Sequence, residues 1–208
     1  MQFPSLIDST IELNQRVATL SFNRDDVRNA LTGTQIIDDI VNTVNWINQS
    51  EEVSALIITG KGSAFSAGGN IKDMQNRSGD FGGDVKTLER KYREGIQRIP
   101  LALETLEVPS IAVVNGPAIG AGFDITCMCD LRLASEKAKF GETFINLGII
   151  PGDGGAWFLQ QLIGYQKAAE LTFTGRVIGA PEALALGLVL EVLPHEQLLN
   201  RATELANQ

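Results

Sequence analysis

The sequence predicts an α/β domain with crossover connections, on three observations. Val17 to Phe22 reads as a strand, and the period then changes: Ile36, Ile40, Val44 and Ile47 fall on one helical stripe, flanked by Ile37 and Val41. Ala55 to Gly60 is a short, almost wholly apolar run stopped by glycine, which suits a strand buried on both faces. Strand, helix and strand in that order open a parallel sheet. At 208 residues, 44% of them hydrophobic and 20% charged, the chain is long enough for one substantial core.

The remaining elements follow from the same patterns. Asn23 to Asn29 is a polar loop, and Gly60 to Asn70 is a loop rich in Gly, Ser and Ala. Residues 76–83 are polar with three glycines, a candidate mobile lid. From Val85 to Leu106 apolar residues, Tyr92 among them, recur at three and four, which predicts a long helix kinked or broken near Pro100. Ile111 to Val114 is the next strand, Gly116 to Gly122 a turn, Phe123 to Met128 a helix and Leu131 to Ala134 a strand. Pro151 to Gly155 turns into a helix over Ala156 to Ile163, and short helices over Gln166 to Leu171 and Pro181 to Leu186 lead to Val189 to Leu193. The tail after Pro194 is helical in character, and no low-complexity segment or composition break marks a second domain.

The formal net charge of −8 gives no general attraction for nucleic acid or an anionic membrane. A local anion site is compatible with it, because backbone amides can hold a phosphate against the mean field. Cys127 and Cys129 form no zinc set and no disulfide framework; reduced, buried thiols in a cytoplasmic protein are expected. The first residues show no basic stretch followed by an apolar run, so neither a signal peptide nor a membrane span is expected. His195, the one histidine, is expected at the surface, and no metal cluster or serine triad is legible.

One arrangement occurs twice: a buried strand ends in glycine and a small-residue loop follows. The loops are Gly60-Lys61-Gly62-Ser63-Ala64-Phe65-Ser66-Ala67-Gly68-Gly69-Asn70 and Asn115-Gly116-Pro117-Ala118-Ile119-Gly120-Ala121-Gly122-Phe123-Asp124. Small residues let a ligand approach the backbone, and free amides at a turn or helix start then point at it. Two such amides can stabilise a developing oxyanion. A glycine after a strand is also simply a turn, and neither loop has the spacing of a dinucleotide or nucleoside triphosphate loop.

The residues themselves are more specific. Ala64 to Lys72, then Val114 to Asp124 with Cys129-Asp130-Leu131, resemble the first two signatures of the crotonase (enoyl-CoA hydratase and isomerase) family. Gly141, Asn146-Leu147-Gly148-Ile149-Ile150-Pro151-Gly152 and Gly154-Gly155 resemble the third, and Thr174-Gly175-Arg176, Ala180 and Ala183 to Val189 a later segment. The resemblance runs in order through nearly the whole chain. It implies a spiral of strand-strand-helix units over residues 1–193, with 194–208 as the start of a C-terminal helical region that stops short of the family's full extension. It also implies homotrimers, often paired into hexamers. By the same resemblance, the backbone amides of Gly69 and Ala121 form the oxyanion hole, Ala67, Gly68, Ile71 and Gly120 lie along the coenzyme A path, and Phe144 stands at the acyl group. No cofactor is implied, since coenzyme A is part of the substrate.

Hydratases of this family use two glutamates. Asp124 falls on the first, one methylene shorter; its alternative role is a helix N-terminal charge interacting with the dipole. Phe144 falls on the second, and a phenyl ring cannot exchange a proton. Glu142 and Asp153 are the substitutes. Asp153 ranks first because the Pro151-Gly152-Asp153-Gly154-Gly155 turn should face the acyl group, although it could instead cap a helix. The expectation is an enoyl-CoA hydratase of fatty acid metabolism, with proton transfer by Asp153 and Asp124. The alternatives are a double-bond isomerase, which Phe144 favours, and a non-catalytic acyl-CoA-binding homologue.

Overall fold

The computed structural model describes residues 2–208, and in it the predicted crossover sheet is present with two additions. The chain opens on β1 (Ser9–Asn14), β2 (Val17–Phe22), α1 (Ile36–Asn48) and β3 (Ala55–Gly60). Three helices follow, α2 (Ile71–Asn76), α3 (Val85–Glu94) and α4 (Arg98–Glu104), and then β4 (Ser110–Val114), β5 (Pro117–Ile119), α5 (Ala121–Met128), β6 (Leu131–Ser135) and β7 (Lys139–Gly141). The last third holds α6 (Gly155–Ile163), α7 (Tyr165–Thr174), β8 (Val177–Gly179), α8 (Ala180–Ala185), β9 (Glu191–Leu193) and α9 (Leu198–Ala206).

The main sheet has the order β1-β2-β3-β4-β6-β9 and the smaller one β5-β7-β8. Among the described residues only β1 with β2 and β7 with β8 pair antiparallel. The β1 strand was not anticipated, although Ile11 and Leu13 alternate with polar neighbours as a half-buried strand should. It joins β2 through a tight turn in which Gln15 takes φ +55°.

The central strands bury both faces, as the apolar run of β3 implies. Leu56 and Ile58 face a large cluster with Leu20, Phe22, Ile36, Ile40 and Phe65, while Ile57 faces a second with Val17, Ile111, Val113 and Leu133. That second cluster is closed by Leu198 and Ala202 of α9, so residues 194–208 pack directly on the sheet. Among the described residues no helix is long and apolar enough to cross a membrane.

The long helix expected from Val85 to Leu106 is broken at Gly95 rather than at Pro100. Gly95 leaves the helical region at φ −111° and ψ −110°, ending α3. Pro100 is the third residue of α4, within the first turn, where its missing N–H leaves no intrahelical bond unmade. No residue of α3 is buried, and its last turn lies beside the two glycine-rich loops.

Candidate active site

The two loops are bound into one frame by main-chain hydrogen bonds. Phe65 and Ser66 both donate to the Pro117 carbonyl, at 3.0 and 3.2 Å, and Ile119 donates back to Ser66 at 3.0 Å. Gly68 can only be glycine: its φ is +73°, and a Cβ there would collide with the Ile119 carbonyl. Behind the first loop, fully buried Asn29 sits at φ +53°, a conformation asparagine tolerates better than most residues. Its Nδ2 donates to the carbonyls of Ala64 and Lys61, at 2.9 and 3.1 Å, and its Oδ1 accepts from Arg24 N–H at 2.8 Å.

This frame brings Gly69 and Ala121 to the wall of a single cavity of about 280 Å³. Ala121 is the first residue of α5, where the helix leaves N–H groups unpaired. Among the described residues, no acceptor pairs with the N–H of either Gly69 or Ala121. Leu31, Ile37, Ile96 and Phe144 supply apolar wall, and Met74, Phe81 and Tyr92 close one side. Residues 79–81 form a 3-10 turn carrying Phe81, and Lys91 Nζ holds this turn by donating to the carbonyls of Gly79 and Gly82 at 2.7 and 2.8 Å. The candidate lid is thus anchored over the cavity.

Asp124, Glu142 and Asp153 converge, at 0, 1 and 4% exposure. Of the three, Asp153 lines the cavity; Asp124 lies behind it, on the first turn of α5, with Glu142 beyond. Asp124 reaches its place because Gly155 has no side chain: a Cβ there would overlap the Asp124 carboxyl. Neither oxygen of Asp124 or Glu142, nor Oδ1 of Asp153, finds a donor among the described residues. Three ionised carboxylates would have only one another to face, so the hydrogen bonds between them exist only with a proton held in the cluster.

Burial accordingly raises all three pKa values. Asp124 is pushed well above the usual carboxylate range by desolvation first, then by the charges of Asp153 and Glu142. Desolvation lifts Glu142 to about 7 and raises Asp153, each opposed by a hydrogen bond with Asp124. Asp124 is the shared, proton-holding member, and Asp153 is the one with access to a ligand.

The N-cap role offered as the alternative for Asp153 does not describe what is seen. Gly154, not Asp153, is the N-cap of α6, and it receives no side-chain cap. Asp124 occupies the first turn of α5, yet its oxygens are turned to the other carboxyls. Glu142, ranked last from the sequence, is a full member of the cluster. Phe144 takes its place in the wall, its ring 3.7 Å from where a Cβ on Gly120 would stand. Gly120 donates to Gly141 at 2.8 Å and Ala67 to Arg28 at 2.9 Å, which set the two loops in position, and Ile71 begins α2 at 50% exposure. His195 is exposed, and both cysteines are buried free thiols.

Tyr92 was read from the sequence only as part of an apolar stripe. In the structure it lies on the cavity wall, with its ring against Gly152 and edge-on to Phe81 at 6.3 Å. A tyrosine with one side in a helical stripe gives no sequence signal that distinguishes its hydroxyl from its ring.

Comparison with known proteins agrees with this geometry. A family model described as enoyl-CoA hydratase/isomerase matches residues 12–208. A probable mitochondrial enoyl-CoA hydratase of Dictyostelium discoideum is 38% identical over 206 residues, covering 99% of this chain and 71% of that protein. The short-chain-enoyl-CoA hydratase of Clostridium acetobutylicum is also 38% identical, over 95% of this chain and 73% of its own length. The crystal structure of an enoyl-CoA hydratase from Bacillus anthracis superposes with a TM-score of 0.88 at 33% identity, covering 97% of this chain and 76% of that one.

Proposed function

Because the chain belongs to the enoyl-CoA hydratase/isomerase family, we propose that it hydrates the double bond of an unsaturated acyl-CoA thioester. The observation that carries this reading is the meeting of two unpaired amides, Gly69 and Ala121, with the Asp153 carboxyl in one cavity. The amides hold the thioester oxygen. Each such donor contributes on the order of 3 kcal/mol to an oxyanion when aimed at developing charge. Water adds its oxygen to Cβ while Asp153 takes its proton, and the π electrons move into the thioester as an enolate. Asp153 then returns a proton to Cα and is ionised again, so no cofactor is consumed. Asp124, kept neutral by burial, donates a hydrogen bond to Asp153 and fixes its direction.

A second reading has one observation in its favour. Phe144 makes one wall apolar, and a single base at Asp153 suffices to move a proton from one carbon to another and shift the double bond. Assembly and location complete the proposal. A homotrimer or hexamer is in keeping with the large exposed apolar side chains of Ile150, Trp157 and Phe173, and a cytoplasmic setting with the two free thiols.

The test uses crotonyl-CoA and crotonate. Calorimetry is expected to show binding of the thioester and at least ~10-fold weaker binding of the acid, and loss of the conjugated enoyl absorbance is expected to report hydration. Equal affinities for the two would remove the thioester site. Binding without turnover on conjugated or unconjugated enoyl-CoA would leave a binding protein instead of an enzyme.

A further inference from the structure

Hydration makes a demand that Asp153 alone does not meet: the attacking water must be held in place while its proton leaves. Phe144 offers no polar atom for this. The polar groups that line the cavity narrow the choice. Asp38 is paired with Arg98 at 2.5 Å, Glu94 with Arg90 at 3.3 Å, and Lys91 is spent on the carbonyls of Gly79 and Gly82. Asp80 accepts from Gly33 N–H at 3.3 Å, Thr32 Oγ1 accepts from Asn70 N–H at 2.7 Å, and Thr34 Oγ1 donates to the Ala30 carbonyl at 2.7 Å. Among the described residues, two ionisable side chains on the wall are left: Asp153, whose carboxyl has only the other buried carboxyls behind it, and Tyr92, whose hydroxyl has no hydrogen-bond partner.

The position of Tyr92 is set from several sides. Its backbone is fixed by α3 and by the break at Gly95, and its carbonyl accepts from Gln97 N–H at 3.0 Å. Gln97 Nε2 in turn donates to the Gly152 carbonyl at 2.8 Å. This ties the start of α4 to the turn that carries Asp153. The Tyr92 ring rests on Gly152 itself, where a Cβ would come within 3.0 Å of Cε1. Helix and turn therefore hold the Tyr92 ring in one fixed relation to the turn that carries Asp153.

Resting on the hydratase reading above, the geometry points to Tyr92 as a second catalytic residue, whose hydroxyl oxygen holds the attacking water beside Asp153. The water donates one hydrogen to the Asp153 carboxylate and the other to the Tyr92 oxygen, which leaves a lone pair free for Cβ. As the C–O bond forms, the O–H bond to Asp153 breaks, the enolate takes the π electrons, and the proton on Asp153 goes to Cα. Tyr92 begins and ends neutral. Partial burial, reinforced by the neighbouring Asp153 charge, raises its pKa and keeps the phenol protonated through neutral pH. The water would thus be held by a carboxylate and a phenol from two different elements, not by two carboxylates.

The experiment compares wild type with Tyr92→Phe, which keeps the ring and its packing. The readings are the turnover number on crotonyl-CoA, the calorimetric Kd for the same thioester with Asp153→Asn as a non-turning background, and the melting temperature. The expected result is a ~10- to 100-fold fall in turnover, with Kd within ~2-fold and an unchanged melt. Full turnover in folded Tyr92→Phe overturns the inference. So does a loss of turnover matched by an equal loss of binding, which would mean that the hydroxyl serves the wall and not the water. A wild-type protein that binds crotonyl-CoA without hydrating it defeats the hydratase reading and this inference together. An active wild type with an equally active variant defeats this inference alone.

Discussion

The carboxyl of Asp124 is buried directly behind that of Asp153, and a hydrogen bond between the two requires a proton held on one of them. One carboxyl faces the ligand and the other holds it from behind, so their removal should have unequal effects. Asp153→Asn is expected to lower turnover on the best enoyl-CoA by at least ~100-fold and Asp124→Asn by at least ~10-fold, with Glu142→Gln smaller than either. Asn and Gln keep the volume of the parent side chain, and circular dichroism checks the fold. Full turnover in folded Asp153→Asn would move the proton-transfer role elsewhere in the cluster.

Glu142 should contribute to the response of stability to pH. Burial raises its pKa from an ordinary 4.5 to about 7, so the folded chain binds more protons than the unfolded chain between these values. Its contribution to stability is therefore greatest at the acid end of that window, falls as pH climbs from 4.5 to 7, and is lost above it. Asp124 and Asp153, raised by the same cause, act in the same direction. Glu142→Gln should reduce the fall and be more stable than wild type at pH 8, by an amount bounded at ~3 kcal/mol. Thermal melts across this range measure it, and an unaltered pH slope would show that Glu142 does not carry the titration.

Asn29 holds the first loop without touching the cavity. Asn29→Ala removes three hydrogen bonds inside the protein and leaves the buried Ala64 carbonyl, the Lys61 carbonyl and the Arg24 amide without this partner, at φ +53°. A loss of ~2–4 kcal/mol in unfolding free energy is expected, read from urea denaturation. Weaker thioester binding should accompany it, because Gly69 belongs to the loop that Asn29 secures. A variant as stable as wild type would place the rigidity of that loop in the contacts with Pro117 and Ile119 instead.

Assembly is checked by sedimentation at assay concentration, where a trimer or hexamer is expected. Trp157, at 63% exposure on α6, and Phe173, at 71% on α7, leave apolar area that a subunit contact would cover. A protein that is monomeric throughout, while hydrating crotonyl-CoA, would show that association is not needed for the site.

Much of this was legible in the sequence because it depends on short-range rules. The apolar run of β3, the stripe of α1 and the two glycine-rich loops each carry a local signature, and each occupies the place its pattern implies. Asp153 could be selected because a single acidic residue in a Pro-Gly-Asp-Gly-Gly turn is conspicuous. What was not legible depends on elements distant in the chain. Glu142 joins Asp124 only because β7 pairs with β5, the strand leading into α5. Tyr92 packs on Gly152, beside Asp153, from a helix that ends at Gly95 and not at Pro100. The short strands β5, β7 and β8 have three residues each, too few to show a period.

The hydrogen bonds among Phe65, Ser66, Pro117 and Ile119 are all between main-chain atoms, and the separation of the Gly69 and Ala121 amides depends on them. Apart from the Asn29 side chain behind the first loop, that spacing is set by main-chain atoms, so the proposed hold on a thioester should be insulated from most point mutations. Ile37, Ile96 and Phe144, partly exposed on the wall, are then the positions where size can change around the proposed carbonyl clamp. A lineage of such proteins can therefore drift toward longer, shorter or branched acyl groups one wall residue at a time, without passing through an intermediate that has lost its hold on the reacting carbonyl.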